Sequence, residues 1–207
     1  MGYRLGLPRM TASECRAENC RFILDEYADH ALHCRDDRGL KGGRHDRIRD
    51  KVFQEAQSAS LNPTKEMPGL LPGSLARPAD VYIGNFVDGR KMAFDISVTS
   101  PTQQNILLRA AQEPAAAIEA RKSSKNRLYL ESCRGQGISF QPLVVETFGG
   151  WDPEAVKFLK QIAHQSARRW GRTASIEIKY FFQRLSVALQ RGNAALIVER
   201  DTELSYA

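Results

Sequence analysis

The stretch RPADVYIGNFVDGRKMAFDISVTSP, Arg77 to Pro101, constrains this chain more tightly than any other. Two apolar, β-branched runs flank Asp88-Gly89, a pair suited to the left-handed backbone of a two-residue hairpin turn. If Val87 pairs with Arg90, Asp80 faces Ser97 and Val81 faces Ile96. Side chains alternate along a strand. One face then collects Val81, Ile83, Phe94, Ile96 and Val98, and the other collects Asp80, Tyr82, Asp95 and Ser97. The two aspartates become diagonal neighbours with backbones about 7–8 Å apart. At that distance both carboxylates can lean onto one hard cation, whose ligand oxygens sit about 2.1 Å away. A one-residue slip would send one aspartate to the apolar face. The plainer reading of the same pair is an edge hairpin whose aspartates discourage strand addition.

Around this hairpin the punctuation indicates alternating helices and strands. RGLKGGR (38–44) reads as a flexible basic separator. HDRIRDKVFQEAQSA reads as a helix with Ile48, Val52 and Ala56 on one stripe. A loop rich in proline and glycine follows, with a short strand near Glu66. TQQNILLRAAQEP and AAAIEARKSSKN read as two helices broken at Pro114, which opens the second. ISFQPLVVETF is a strand. WDPEAVKFLKQIAHQSARRWG is a helix with Asp152 as N-cap, Pro153 in the first turn and Gly171 as stop. Its stripe is Ala155, Phe158, Leu159, Ile162, Ala163 and Ser166. A last helix over 174–191 ends at Gly192. This order gives an α/β domain with a small mixed sheet flanked by helices.

Three of the four cysteines fall near the N-terminus, as Cys15-x4-Cys20-x9-His30-x3-Cys34, with His33 as a competing fourth ligand. Thiolates and an imidazole at such spacing suit tetrahedral Zn²⁺, and so short a segment needs a staple to hold shape. Unligated thiols in a frayed terminus are the alternative. Cys133 stands apart and reads as a buried thiol. No secretory signal and no apolar run near the roughly 18 residues of a membrane span is present. An intracellular compartment with no membrane partner is therefore expected.

RPAD and FDISV resemble the PD-(D/E)xK, or restriction-endonuclease-like, nuclease core: an aspartate after a proline, a hairpin, then a second acidic residue. Ala79 separates Pro78 from Asp80, and DISV holds no lysine where that superfamily usually has one; Val98 occupies part of the stretch. In the restriction-endonuclease-like domain of site-specific retrotransposons lacking long terminal repeats, the lysine has moved to the helix after the second strand. AIEARKSSKNRLY is similar, with Lys122 and Lys125 on one helical face and Glu119 one turn earlier. A solvated helix face is the other reading of those lysines. DEYADHALHC resembles the Cys-Cys-His-Cys knuckle ahead of that core, which favours His30 over His33. The likeness covers roughly residues 12 to 190.

The resemblance implies a zinc knuckle over residues 1–40 and a nuclease domain over residues 41–207. It implies a DNA endonuclease acting in the nucleus, with Asp80 and Asp95 holding Mg²⁺ or Mn²⁺ and the Ile96 carbonyl a further ligand. Lys122 or Lys125 would orient water or stabilise charge, and Glu66 matches a position where relatives often carry an acid. A net charge of +6 suits a polyanionic partner. Arg44, Arg47 and Arg49 are candidate phosphate contacts, as are Arg168, Arg169 and Arg172 around Trp170. His45 and His164 read as ordinary polar positions. A reverse transcriptase or its RNA is a further partner, and a homodimer would serve double-strand cleavage. With no polymerase segment ahead of it, the chain is expected to be a fragment, a free-standing relative or a domesticated descendant. The competing function is an inactive nucleic-acid-binding module on the same fold.

Overall fold

A four-stranded sheet with helices on both faces forms the centre of the computed structural model, which describes residues 11–15, 17, 20–34 and 39–200. Ahead of it lies a small ribbon, β1 (Ser13–Glu14) paired with β2 (Ile23–Leu24), followed by α1 (Asp29–His33). Next come α2 (Leu40–Ser58), β3 (Thr64–Lys65), β4 (Val81–Ile83) and β5 (Lys91–Thr99). The crossover α3 (Leu107–Gln112) and α4 (Ala116–Arg134) leads to β6 (Ile138–Glu146), and α5 (Pro153–Arg169) and α6 (Ala174–Arg200) close the chain. The sheet order is β3-β4-β5-β6, antiparallel except for the parallel β5–β6 pair. The fold is thus mixed α/β with a small mixed sheet, as the sequence pattern indicated.

One sheet face builds the main core. Val81, Ile83, Phe94 and Ile96 pack there against Ile48 and Val52 of α2, Leu159 and Ile162 of α5, and Phe181 and Leu185 of α6. The opposite face is also covered. Ala93 and Phe140 form a second cluster with Ala79 and with Cys133 of α4, against which Tyr82 packs. β5 is an interior strand, so its aspartate is not a device for protecting a sheet edge. Pro142 sits in β6, the edge strand, where its missing N–H leaves no ladder bond unmade.

Several expectations are corrected. The hairpin connection is not two residues long. Phe86 N–H donates to the Arg90 carbonyl at 2.8 Å, and Val87–Gly89 form a 3₁₀ turn with Asp88 and Gly89 both at positive φ. One further residue is absorbed at Gly84–Asn85, so Val81 pairs with Phe94 rather than Ile96. The shift is two residues, which preserves the face of every side chain in the ladder. Of the expected separator at 38–44, residues 40–44 belong to α2; Arg38 lies outside the described residues.

The last helix does not stop at Gly192. It continues to Arg200, because Gly192 serves helix packing. A Cβ there would lie 2.5 Å from Cγ and 3.0 Å from Cα of Arg44. Only hydrogen fits where α2 and α6 touch. The punctuation of α5 behaves as read: Asp152 caps it by accepting from Ala155 N–H at 3.1 Å, and Gly171 ends it at φ 61°. Pro114 does not open α4 as expected; it lies in the turn ahead of it, and Ala115 at φ 65° is the N-cap.

Candidate active site and metal centre

Asp80 lies just beyond the regular end of β4, where the ladder breaks. Its amide donates to the Phe94 carbonyl at 2.9 Å although Val81 already pairs with Phe94, so two residues oppose one. Alternation fails at the same point, since Ala79 joins the cluster on the α4 side against which Tyr82 packs. This is a bulge, the irregularity that re-aims a side chain. Asp80 Oδ2 consequently turns back to accept the Ile96 amide at 2.6 Å. The carboxylate replaces strand backbone as that amide's partner, next to the residue that follows Asp95.

Asp95 is 4% exposed and reaches Lys125 of α4, whose Nζ lies 2.9 Å from Oδ1. Ser97 Oγ donates to Oδ2 at 3.5 Å. Burial pushes the Asp95 carboxyl up, to about 6; Lys125 opposes that rise and the Asp80 charge adds to it. The Asp80 charge is thus felt at Asp95, but the two aspartates do not share a sheet face as alternation predicted, because the bulge takes Asp80 off the face that holds Asp95.

His45 is the functional candidate that sequence reasoning passed over. Its Nε2 lies 2.9 Å from Asp80 Oδ2 and its Nδ1 3.2 Å from Asp46 Oδ1. Burial disfavours the imidazolium, but hydrogen bonds and charges from Asp80 and Asp46 outweigh it, and the pKa is raised. Both ring nitrogens face carboxylates, which suits the doubly protonated ring. The one signal available was its place in α2, one turn ahead of Arg49 and just before the Ile48 stripe.

The two lysines separate by role. Lys122 turns to α5, 3.1 Å from Asp152 Oδ1 and 3.5 Å from Glu154, so it braces the N-cap of that helix rather than the aspartates. Burial works against its charge, yet Asp152, Glu154 and Glu119 raise its pKa. Glu66 donates its amide to the Asp80 carbonyl at 3.1 Å, but its carboxylate is held by Arg49 and by Arg77, 3.3 Å away. It sits beside the site and points into an ion-pair network.

The basic candidates divide likewise. Arg44 is corrected as a phosphate contact: it is buried, with Nη1 3.0 Å from Asn193 Oδ1 and Nη2 3.2 Å from the Leu32 carbonyl. Arg49 is occupied by Asp46, Asp50 and Glu66. Arg47 is exposed on the far side of α2. Arg168 and Arg169 are exposed beside Trp170, whose indole N–H bonds to the Ser58 carbonyl at 3.0 Å while Arg169 lies over its ring. Arg172 pairs with Glu177 at 3.1 Å.

A second centre lies in the N-terminal segment. Cys15, Cys20, His30 and Cys34 bring one ligand atom each to within 4.8 Å of one another. Among the described residues no other group of three or more His, Cys, Asp or Glu side chains meets that test. Cys15 Sγ and Cys34 Sγ are 3.8 Å apart, and Cys20 Sγ is 3.1 Å from His30 Nε2. Tetrahedral zinc–thiolate bonds of about 2.3 Å separate their sulfurs by about 3.8 Å, so the spacing fits. Asp25 sets the ligand loop by accepting the amides of Tyr27, Asp29 and His30. Burial lowers the His30 pKa, favouring the neutral imidazole that ligation requires. His33 is outside the group, edge-on to His30. The group can hold a metal ion such as zinc, and Leu32 beside it packs on Leu196 of α6. Compared with protein-family models and with curated proteins, the sequence gives no match.

Proposed function

We propose that this chain is a metal-dependent DNA endonuclease, retrotransposon-derived, with a restriction-endonuclease-like core behind a zinc knuckle. The observation that carries the reading is the cluster of Asp80, Asp95 and Lys125, drawn from a bulged strand, an interior strand and the crossover helix. Lys125 is the lysine with the catalytic role, since Lys122 is committed to Asp152. Asp80, Asp95 and the Ile96 carbonyl are oxygen donors of the kind Mg²⁺ or Mn²⁺ takes. Burial and mutual repulsion lift Asp95 to about 6, the mark of a carboxylate short of positive charge. A divalent ion bound there supplies Lewis-acid activation of water and of the phosphodiester.

The chain's own groups do the rest. His45 donates to Asp80 and helps hold its carboxylate against the Ile96 amide, which follows Asp95 in the chain. Lys125 offers an ammonium to charge gathering on phosphate oxygens as the bond to the leaving oxygen breaks. Cys15, Cys20, His30 and Cys34 would hold Zn²⁺ as a structural staple.

The test is nicking of supercoiled and branched DNA with Mg²⁺ or Mn²⁺ by the parent protein, Asp95→Ala and Lys125→Ala. Nicking by the parent alone, with DNA binding kept in both variants, is the expected result. Equal nicking by all three proteins would end the proposal, and DNA bound but uncut by the parent would replace it with a binding module.

A further inference from the structure

We propose that the groove between α2 and α6 seats a segment of single-stranded DNA, away from the hydrolytic cluster. α2 presents two working faces. His45 turns to Asp80, whereas Arg47 lies about 200° round the helix and lines the groove instead. The groove encloses about 500 Å³. It offers exposed apolar surface as well: Tyr180 is 52% and Val187 51% exposed, and both line it. Its rim is cationic, with Arg47 and Lys51 from α2 and Arg191 from α6.

These charges are available. Among the described residues Arg47 and Arg191 make no ion pair, and Lys51 bonds only the neutral Gln54, at 2.9 Å. Asp50, the acid in the groove, is already paired with Arg49 and Lys65. Arg184 is tied to Glu55 and Glu177, so it serves as wall rather than as ligand. Tyr180 to Arg191 spans about 16 Å along α6, the reach of a few nucleotides.

An exposed aromatic ring at one end of the groove and two unpaired arginines at the other match a strand whose bases are free to stack while its phosphates meet arginines. A duplex keeps its bases stacked inside, and an acidic peptide would use the rim and leave Tyr180 without a partner. The choice of DNA over RNA rests on the nuclease reading; the groove's charge and shape do not.

Binding is therefore measured apart from cleavage, in the full-length Asp95→Ala protein without added divalent ion. The probe is fluorescein-labelled 12-mer oligothymidylate, followed by anisotropy across a salt series. Reversing both groove arginines, Arg47→Glu with Arg191→Glu, is expected to weaken binding at least tenfold. It should also lower the slope of log affinity against log salt by about 0.7 for each arginine. Tyr180→Ala is expected to weaken binding about fivefold or more. Should the reversal unfold the chain, Arg47→Gln with Arg191→Gln reads the same slope. Unchanged affinity in the arginine variants overturns the site. Tighter binding of oligouridylate overturns the choice of DNA, and displacement by polyglutamate as effective as by unlabelled oligothymidylate overturns the stacking role.

Discussion

Replacing Asp95 by asparagine should make the protein more stable at pH 8. The side chain is 4% exposed, and its carboxyl is lifted from 3.8 to about 6. A shift of that size corresponds to about 3 kcal/mol against the ionised form. The sign follows from proton binding. Between about pH 4 and about pH 6 the native state holds its proton while the unfolded chain releases it, so native stability falls as pH rises through that window. Below it the cost is absent; above it the whole cost is felt. Asparagine keeps the shape and never ionises, and like the protonated acid it gives Lys125 no ionic partner, so the Lys125 contribution is already contained in that shift. The net expectation at pH 8 is a gain of about 3 kcal/mol, shrinking toward zero at pH 4. Urea unfolding of both proteins at pH 4, 5, 6 and 8 gives the difference directly. Taking the difference cancels the groups that act in the opposite sense, Asp50 and Glu177, whose lowered pKa values cost stability as pH falls. Stability curves that run parallel from pH 4 to pH 8 would refute the reasoning. So would a variant less stable than the parent at pH 8. Addition of Mg²⁺ should raise the midpoint of the parent and leave that of Asp95→Asn unmoved.

The two lysines should part under mutation. Lys125→Ala is expected to lower nicking by about 100-fold or more, far beyond what its loss of about 1–3 kcal/mol at pH 8, from leaving Asp95 without a counter-ion, accounts for. Lys122→Ala should cost about 1–2 kcal/mol through the Asp152 cap and reduce activity only in step with unfolding; the opposite pattern in paired melting and nicking assays would exchange their roles. Gly192→Ala should destabilise by about 1–3 kcal/mol in a urea titration despite alanine's better helix propensity, because the added methyl has no room beside Arg44. Elemental analysis should find one zinc per chain. Cys34→Ser should lose it and free the 13–34 segment to proteolysis, leaving the circular dichroism of the α2–α6 core nearly intact; retained metal would show that these four residues are not the ligands.

What could be read from the sequence was what repeats. The Ile48, Val52, Ala56 stripe and the Ala155-to-Ser166 stripe are buried as periodicity required, apart from a partly exposed Phe158. The strand runs are strands, and the face sets in the β4–β5 ladder survive a two-residue error in register because faces depend on parity alone, except for Asp80, which the bulge moves off its predicted face. What could not be read depends on contacts distant in the chain. Gly192 looks like a helix stop until Arg44 is known to lie against it. Residues 40–44 look flexible until α6 and the Leu32 carbonyl provide partners for Arg44. Lys122 and Lys125 share a face locally, and only the position of Asp152 tells them apart. His45 was overlooked for the same reason, its partner being 35 residues away.

The aspartates raise the remaining question, since the pleat that suggested their meeting is not what achieves it. Regular alternation would have left Asp80 as one more side chain on a sheet face that α4 covers. At the bulge it instead occupies the place of the missing strand, satisfies the Ile96 amide and meets an imidazole from the α2 side. Asp95 stays on the α4 side, where Lys125 finds it. The cluster therefore straddles the torn end of a ladder, with α2 contributing an imidazole on one side and α4 an ammonium on the other. Partial exposure of His45, Asp80 and Lys125 leaves that end open to solvent, while Asp95 beneath them is nearly dry. A strand with its full ladder would be more stable and would close the gap. Breaking it is what brings groups from both sheet faces to the same end of the ladder.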